Sequence, residues 1–126
     1  MAVKVLTQGV SIRSSTPEKL FIRRAFLFMR YFVYILYSHT KDTFYKGQTS
    51  DIEDRVNRHN SGYEKSTSLG RPWKLLWLTQ KASRSEAISL ETKLKNLSRK
   101  RLIQFMIKYN EGLVSDSQEI LKRFEP

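Results

Sequence analysis

The sequence predicts a small α+β domain, a three-stranded antiparallel sheet flanked by helices in the order β-β-α-β-α-α. Three observations carry this expectation. The β-branched and aromatic run YFVYILYS is followed, after the turn residues HTKD, by TFYKGQT, so the first two strands read as a hairpin. Only one further strand-like run, WKLLWLTQ, follows them. Three other stretches open on serine and carry helical periodicity, which fits helices packed on a small sheet. A chain of 126 residues suffices for one domain that buries roughly two-thirds of its unfolded surface.

Taken in order, residues 1–29 lack a clear period and contain Ser-Ser-Thr-Pro. They are rich in arginine and poor in acid, which resembles a transit peptide, and are expected to be a basic extension outside the core. In the first strand, alternation puts Tyr31, Val33, Ile35 and Tyr37 on one face and Phe32, Tyr34 and Leu36 on the other. In the second, Phe44 and Lys46 share one face while Tyr45 and Gly47 share the other. A glycine inside a strand signals a bulge or the close approach of a ligand, so Gly47 is a candidate substrate contact. Ser50 and Glu53 form a capping box for a helix over Ser50 to Asn60, with Gly62 as its left-handed stop. SGYEKSTSLGRP reads as a loop and WKLLWLTQ as the third strand. Ser83 with Glu86 caps a second helix reaching Leu97, and a third runs from Ser98 to Gly112. The compact unit is expected over residues 30–106, leaving 107–126 as a helix end and tail.

Charge narrows the function. The chain has 23 Lys and Arg against 12 Asp and Glu, a net +11 with pI about 10.1, which points to a polyanionic partner, nucleic acid before a membrane surface. No apolar run approaches the roughly 20 residues that span a bilayer. With no cysteine and two histidines, disulfides and thiolate zinc sites are excluded, and an intracellular (cytoplasmic) location fits. The stretch KLKNLSRKR places Lys93, Lys95, Arg99, Lys100 and Arg101 together without an acid, either as phosphate contacts or as a solvated helix face.

Three polar residues sit where apolar ones belong. At about 100° per residue, Arg55 and His59 share the face of the first helix that carries its only aliphatic residues, Ile52 and Val56. On the second helix Glu91 borders the stripe of Ala87, Leu90, Leu94 and Leu97. Each has an ordinary alternative: a surface pair of Arg55 with Asp51, a satisfied helix-end histidine, a Glu91 turned to solvent or to a nearby lysine. Three such placements on two helices against one sheet point instead to a site. If so, His59→Ala should cost chemistry more than stability.

These residues resemble those of the GIY-YIG nucleases. "VYI" (Val33, Tyr34, Ile35) and "YKG" (Tyr45, Lys46, Gly47), with nine residues between them, are similar to the two namesake motifs, and Arg55, His59 and Glu91 follow on the expected helices. The string through "HNSG", "RPWKLLW" and "LSRKR" is similar to small single-domain members related to the nuclease domain of the excision-repair excinuclease. Val33 stands in place of the first motif's glycine and Lys46 in place of the second motif's isoleucine.

The resemblance implies a metal-dependent endonuclease acting on nucleic acid, DNA before RNA, in repair or processing, with a partner protein for targeting. Glu91 would hold one Mg²⁺ or Mn²⁺ ion. Arg55 would stabilise the scissile phosphate. Tyr34 would take the proton from water with His59 as relay, and Tyr45 would position phosphate or water, the reverse tyrosine assignment being the alternative. Lys46, Gly47, Lys93, Lys95 and Asn96 would bind substrate, Asn96 being the nearest match to a family asparagine. The competing class is a nucleic-acid-binding module that keeps the nuclease fold without turnover.

Overall fold

The computed structural model describes residues 31–114 and 117–124. The basic extension expected over residues 1–29 lies outside the described residues.

Strand β1 (Tyr31–Ser38) is central in an antiparallel sheet of order β2-β1-β3, between β2 (Thr43–Thr49) and β3 (Trp73–Lys81). The expected alternation holds along β1. Val33, Ile35 and Tyr37 enter a large apolar core, and Tyr34 and Leu36 enter a smaller one on the opposite face. The β1–β2 register is regular and sets Tyr34 opposite Gly47. Against β3 the register slips between Ile35 and Leu36, which pair with Trp77 and Leu75. The extra residue, Leu76, and its neighbour Trp77 both lie in the large core.

The two faces are covered unequally. Helix α1 (Ile52–Ser61) lays Ile52 and Val56 on the smaller core, beside Leu36, Leu78 and Trp73. Helices α2 (Arg84–Lys95), α3 (Arg99–Lys108) and α4 (Ser117–Lys122) cover the other face with Ala87, Leu94, Leu102, Ile103, Met106, Ile120 and Leu121. Beyond Met106, Leu113, Ile120 and Leu121 lie in this core and Phe124 packs against it, so the described residues after the third helix add to the apolar core.

Caps set the helix limits. Asp51, not Ser50, caps α1: its carboxylate accepts the Asp54 N–H at 3.1 Å. Thr49 takes the Asp51 N–H at 3.1 Å, which moves the start one residue along. Gly62 closes α1 at φ 88°, as expected of a left-handed stop. Ser83 and Ser98 cap α2 and α3 by accepting the Glu86 and Arg101 N–H groups. The third helix ends at Lys108, and Asn110–Gly112 forms a separate 3₁₀ turn.

The hairpin turn is tied down from a distance. Asp42, at φ 49°, accepts from the Tyr37 hydroxyl at 2.6 Å and from Arg99 at 2.7 Å. These two hydrogen bonds, Tyr37 first, hold its carboxyl below the usual range. The Arg99 guanidinium lies 5.3 Å from the Phe44 ring centre and 4.8 Å from that of Phe124. Arg99 is therefore occupied as a clamp between hairpin and C-terminus.

Candidate active site

The smaller core carries polar chemistry at its centre. Tyr34 reaches from β1 across β2, so that its hydroxyl end lies over Gly47. A Cβ on Gly47 would stand 2.5 Å from the Tyr34 Oη and 2.7 Å from its Cζ. Gly47 is buried in an unbulged stretch of β2, and its lack of a side chain makes room for the tyrosine.

From α1, His59 meets Tyr34. The Tyr34 hydroxyl lies 3.1 Å from His59 Nε2, and both residues are only 1 % exposed. Tyr45, from the same face of β2, packs its ring 4.6 Å from the imidazole centre and 6.2 Å from the Tyr34 ring. Burial is the main reason the Tyr34 phenol is pushed far above its ordinary value; Tyr45, Glu91 and Glu64 add to the rise and Arg55 opposes it. Burial likewise pushes His59 below the ordinary histidine range, with Glu64 opposing and Arg55 assisting. The resting pair is a neutral phenol beside a neutral imidazole. His59 is thus a core residue, and its loss would leave buried hydroxyls unpaired.

Arg55 stands one turn before His59. It does not pair with Asp51; the surface pair of α1 is Arg58 with Asp54 at 3.3 Å. The Arg55 Nε is buried without a hydrogen-bond partner. Such an orphaned donor is costly unless an anion completes it.

Glu91 approaches from the other side of the sheet. Its carboxylate is 18 % exposed and pairs with Lys95 at 3.3 Å, the ordinary alternative foreseen for it. Lys46 alternates away from Tyr45 toward this side, and burial first, then Lys95, lowers its ammonium's affinity for protons. The candidate residues therefore form two groups around the edge strand β2: Tyr34, Tyr45, Arg55 and His59 on the α1 face, Lys46, Glu91 and Lys95 on the α2 side. The Glu91 charge still acts on Tyr34, so the groups are electrostatically joined. Lys93 is exposed over the Phe105 ring, 5.8 Å from its centre. Asn96 is the exposed cap of α2. Five residues past Glu91, it projects about 140° away around the helix, which separates its side chain from the carboxylate.

Two members of the site went unread in the sequence. Thr67, in the loop after α1, lies 2.9 Å from His59 Nδ1. Asn60 bonds both the N–H and the carbonyl of Trp73, at 2.5 and 3.0 Å, which fastens the end of α1 to the start of β3. Only the Ser- and Thr-rich composition of the loop hinted at side-chain to backbone bonding there.

A three-stranded antiparallel sheet with helices on both faces, two tyrosines on its first hairpin and an arginine and histidine on its first helix define a class of domain. Residues 30–108 match the GIY-YIG catalytic domain, and the chain belongs to that family, within the nuclease superfamily. A UPF0213 protein of Syntrophus aciditrophicus is 41% identical over 81 residues, 63% of this chain and 91% of that one. One from Listeria welshimeri is 34% identical over 82 residues, 64% of this chain and 90% of its own. The solution NMR structure of a UPF0213 protein from Bacillus halodurans is 30% identical, covering 65% of this chain and 85% of that one, with a TM-score of 0.41. Among the described residues no helix is long and apolar enough to cross a membrane.

Proposed function

We propose that this chain is an endonuclease that hydrolyses phosphodiester bonds in nucleic acid with one divalent ion, Mg²⁺ or Mn²⁺, at Glu91. The observation that carries the reading is the buried Tyr34–His59 pair beside an arginine whose buried Nε has no partner. An anionic phosphate is the group that a forked guanidinium donor lacks.

The donor set fits a hard ion. Among the described residues no three His, Cys, Asp or Glu gather into a protein cage, so Glu91 offers one carboxylate. Mg²⁺ is commonly held by one or two carboxylates, with water and phosphate oxygens completing its shell. Lys95 must release Glu91 for this to occur. A divalent ion held by Glu91 would supply positive charge to the phosphate oxygens.

The chain's own residues do the rest. Tyr34 gives its proton to His59 Nε2 and takes one from the attacking water, which becomes the nucleophile. Arg55 binds the scissile phosphate and holds the charge that grows on it during in-line displacement of the leaving oxygen. Tyr45, against the imidazole, orients phosphate or water by its hydroxyl. Lys93 and Lys95, exposed on α2, are the lysines disposed to contact backbone phosphates. DNA as substrate, a role in repair or processing and a targeting partner rest on the likeness to the excision-repair excinuclease. A chain without cysteine suits an intracellular setting.

The Lys95–Glu91 pair favours one second reading, a nucleic-acid-binding module in which lysine permanently neutralises the carboxylate. A cleavage assay over single-stranded, duplex and branched substrates, with and without Mg²⁺, separates the two. Metal-dependent cutting that Glu91→Ala abolishes supports the enzyme. Tight binding without cutting on any substrate supports the module.

A further inference from the structure

The hydrogen-bond chain beneath Tyr34 continues past His59. His59 Nδ1 lies 2.9 Å from Thr67 Oγ1, and the Thr67 hydroxyl lies 3.4 Å from the Glu64 carbonyl oxygen. A carbonyl only accepts, so the Thr67 proton points to Glu64 and an oxygen lone pair faces the imidazole. Nδ1 then carries the ring proton, leaving Nε2 to accept from the Tyr34 hydroxyl at 3.1 Å. The opposite tautomer would turn an N–H toward a phenol whose own proton has no other acceptor among the described residues.

The threonine's position does not depend on substrate. Thr67 is 2 % exposed. Its N–H donates to the Glu64 carbonyl at 3.1 Å, and its carbonyl accepts from the Gly70 N–H at 3.1 Å and the Trp73 indole at 2.7 Å. Trp73 is in turn held by Asn60, the residue after His59. The histidine and its support are fixed through one short closed circuit of hydrogen bonds.

We propose that Thr67 is a positioning residue, whose hydroxyl holds His59 in the Nδ1–H tautomer so that Nε2 receives the Tyr34 proton. Its consequence for catalysis rests on the nuclease reading; the tautomer itself does not. When the phenol proton moves to Nε2, the ring carries N–H at both nitrogens and a single positive charge. Thr67 Oγ1 continues to accept from Nδ1, and its own proton stays on the Glu64 carbonyl. The groups acting on His59 come from every side: Tyr34 from β1, Tyr45 from β2, Arg55 from α1 and Glu64 from the loop.

The test is ¹⁵N NMR of the His59 ring in the full chain without metal or nucleic acid, in wild type, Thr67→Val and Thr67→Ser, alongside the pH profile of cleavage. Wild type should show a protonated Nδ1 and a bare Nε2. Thr67→Val should mix the tautomers, shift the pH profile and lower kcat about tenfold to a hundredfold, less than the 10² to 10⁴ of a proton-transfer group itself. Thr67→Ser, which keeps the hydroxyl, should restore both signatures. A wild-type ring protonated at Nε2 overturns the proposal even if Thr67→Val does not fold. An unchanged tautomer and pH profile in a folded Thr67→Val overturns it and leaves the nuclease reading standing. A locked tautomer in a chain that cuts nothing upholds the positioning role and removes the nuclease reading.

Discussion

The two faces of one sheet serve different ends. Beneath α2, α3 and α4 the sheet presents Val33, Ile35, Tyr37, Leu76 and Trp77 to a nearly all-apolar core. Beneath α1 the buried set is small, Tyr34, Leu36, Trp73 and Leu78, and it encloses His59 and Thr67, with the Arg55 Nε buried alongside. Hydrophobic burial is non-directional and forgiving, whereas a buried polar chain is stable only if each donor finds its acceptor. One face thus supplies the stability that lets the other hold tyrosine, histidine and arginine in a fixed arrangement.

If that division is right, the largest effect belongs to Tyr34→Phe. Removing one oxygen keeps the ring over Gly47 but deletes the proton path, so cleavage should fall by about 10² to 10⁴ while the fold survives. Single-turnover kinetics with thermal melting check this, and near wild-type turnover would move the base to Tyr45. Next comes Leu102→Ala on the opposite face, where the side chain is 1 % exposed. It should cost about 2 to 5 kcal/mol of stability. Turnover per folded molecule at low temperature should be unchanged; a proportional loss of both would merge the two faces into one functional unit.

Gly47→Ala sharpens the comparison, because it inserts a methyl where the faces meet the edge strand. With the Tyr34 Oη 2.5 Å from the new carbon and anchored by His59, the ring must shift, at about 1 to 3 kcal/mol. Denaturant midpoints and rates should fall together here, unlike in the two preceding variants.

The smallest effect is on pH. His59 is held below its ordinary value near 6.5, so between that value and its folded one the unfolded chain binds a proton that the native chain refuses. Stability should therefore drop as pH falls from 7 through this window. Asp42, held below its ordinary 3.8, matters only in more acid solution, where its protonation removes the stabilisation. Melting temperatures from pH 7 to 5 in wild type and His59→Gln isolate the histidine: the slope should flatten in the variant. An equal slope in both would place its origin elsewhere.

Much of this was legible in the chain itself. Period-two alternation separated Tyr34 from Val33 and Ile35, and serine caps announced α2 and α3, because these signals depend on neighbours a few residues apart. Arg55, His59 and Glu91 stood out because charge on an apolar stripe contradicts the pattern around it. The sequence by itself determined the three strands and the first three helices, the two faces of β1 and the identity of the polar intruders. The tertiary structure alone decided that Glu91 comes from the far side of the sheet, already paired with Lys95, that Gly47 yields space to a tyrosine, and that Arg99 clamps the hairpin. It alone joined Thr67 to His59 and drew Leu113, Ile120 and Leu121 into the core. Periodicity reports which side of its own element a residue occupies, but a hydrogen bond between loop and helix depends on where chain closure brings them, which no local pattern encodes.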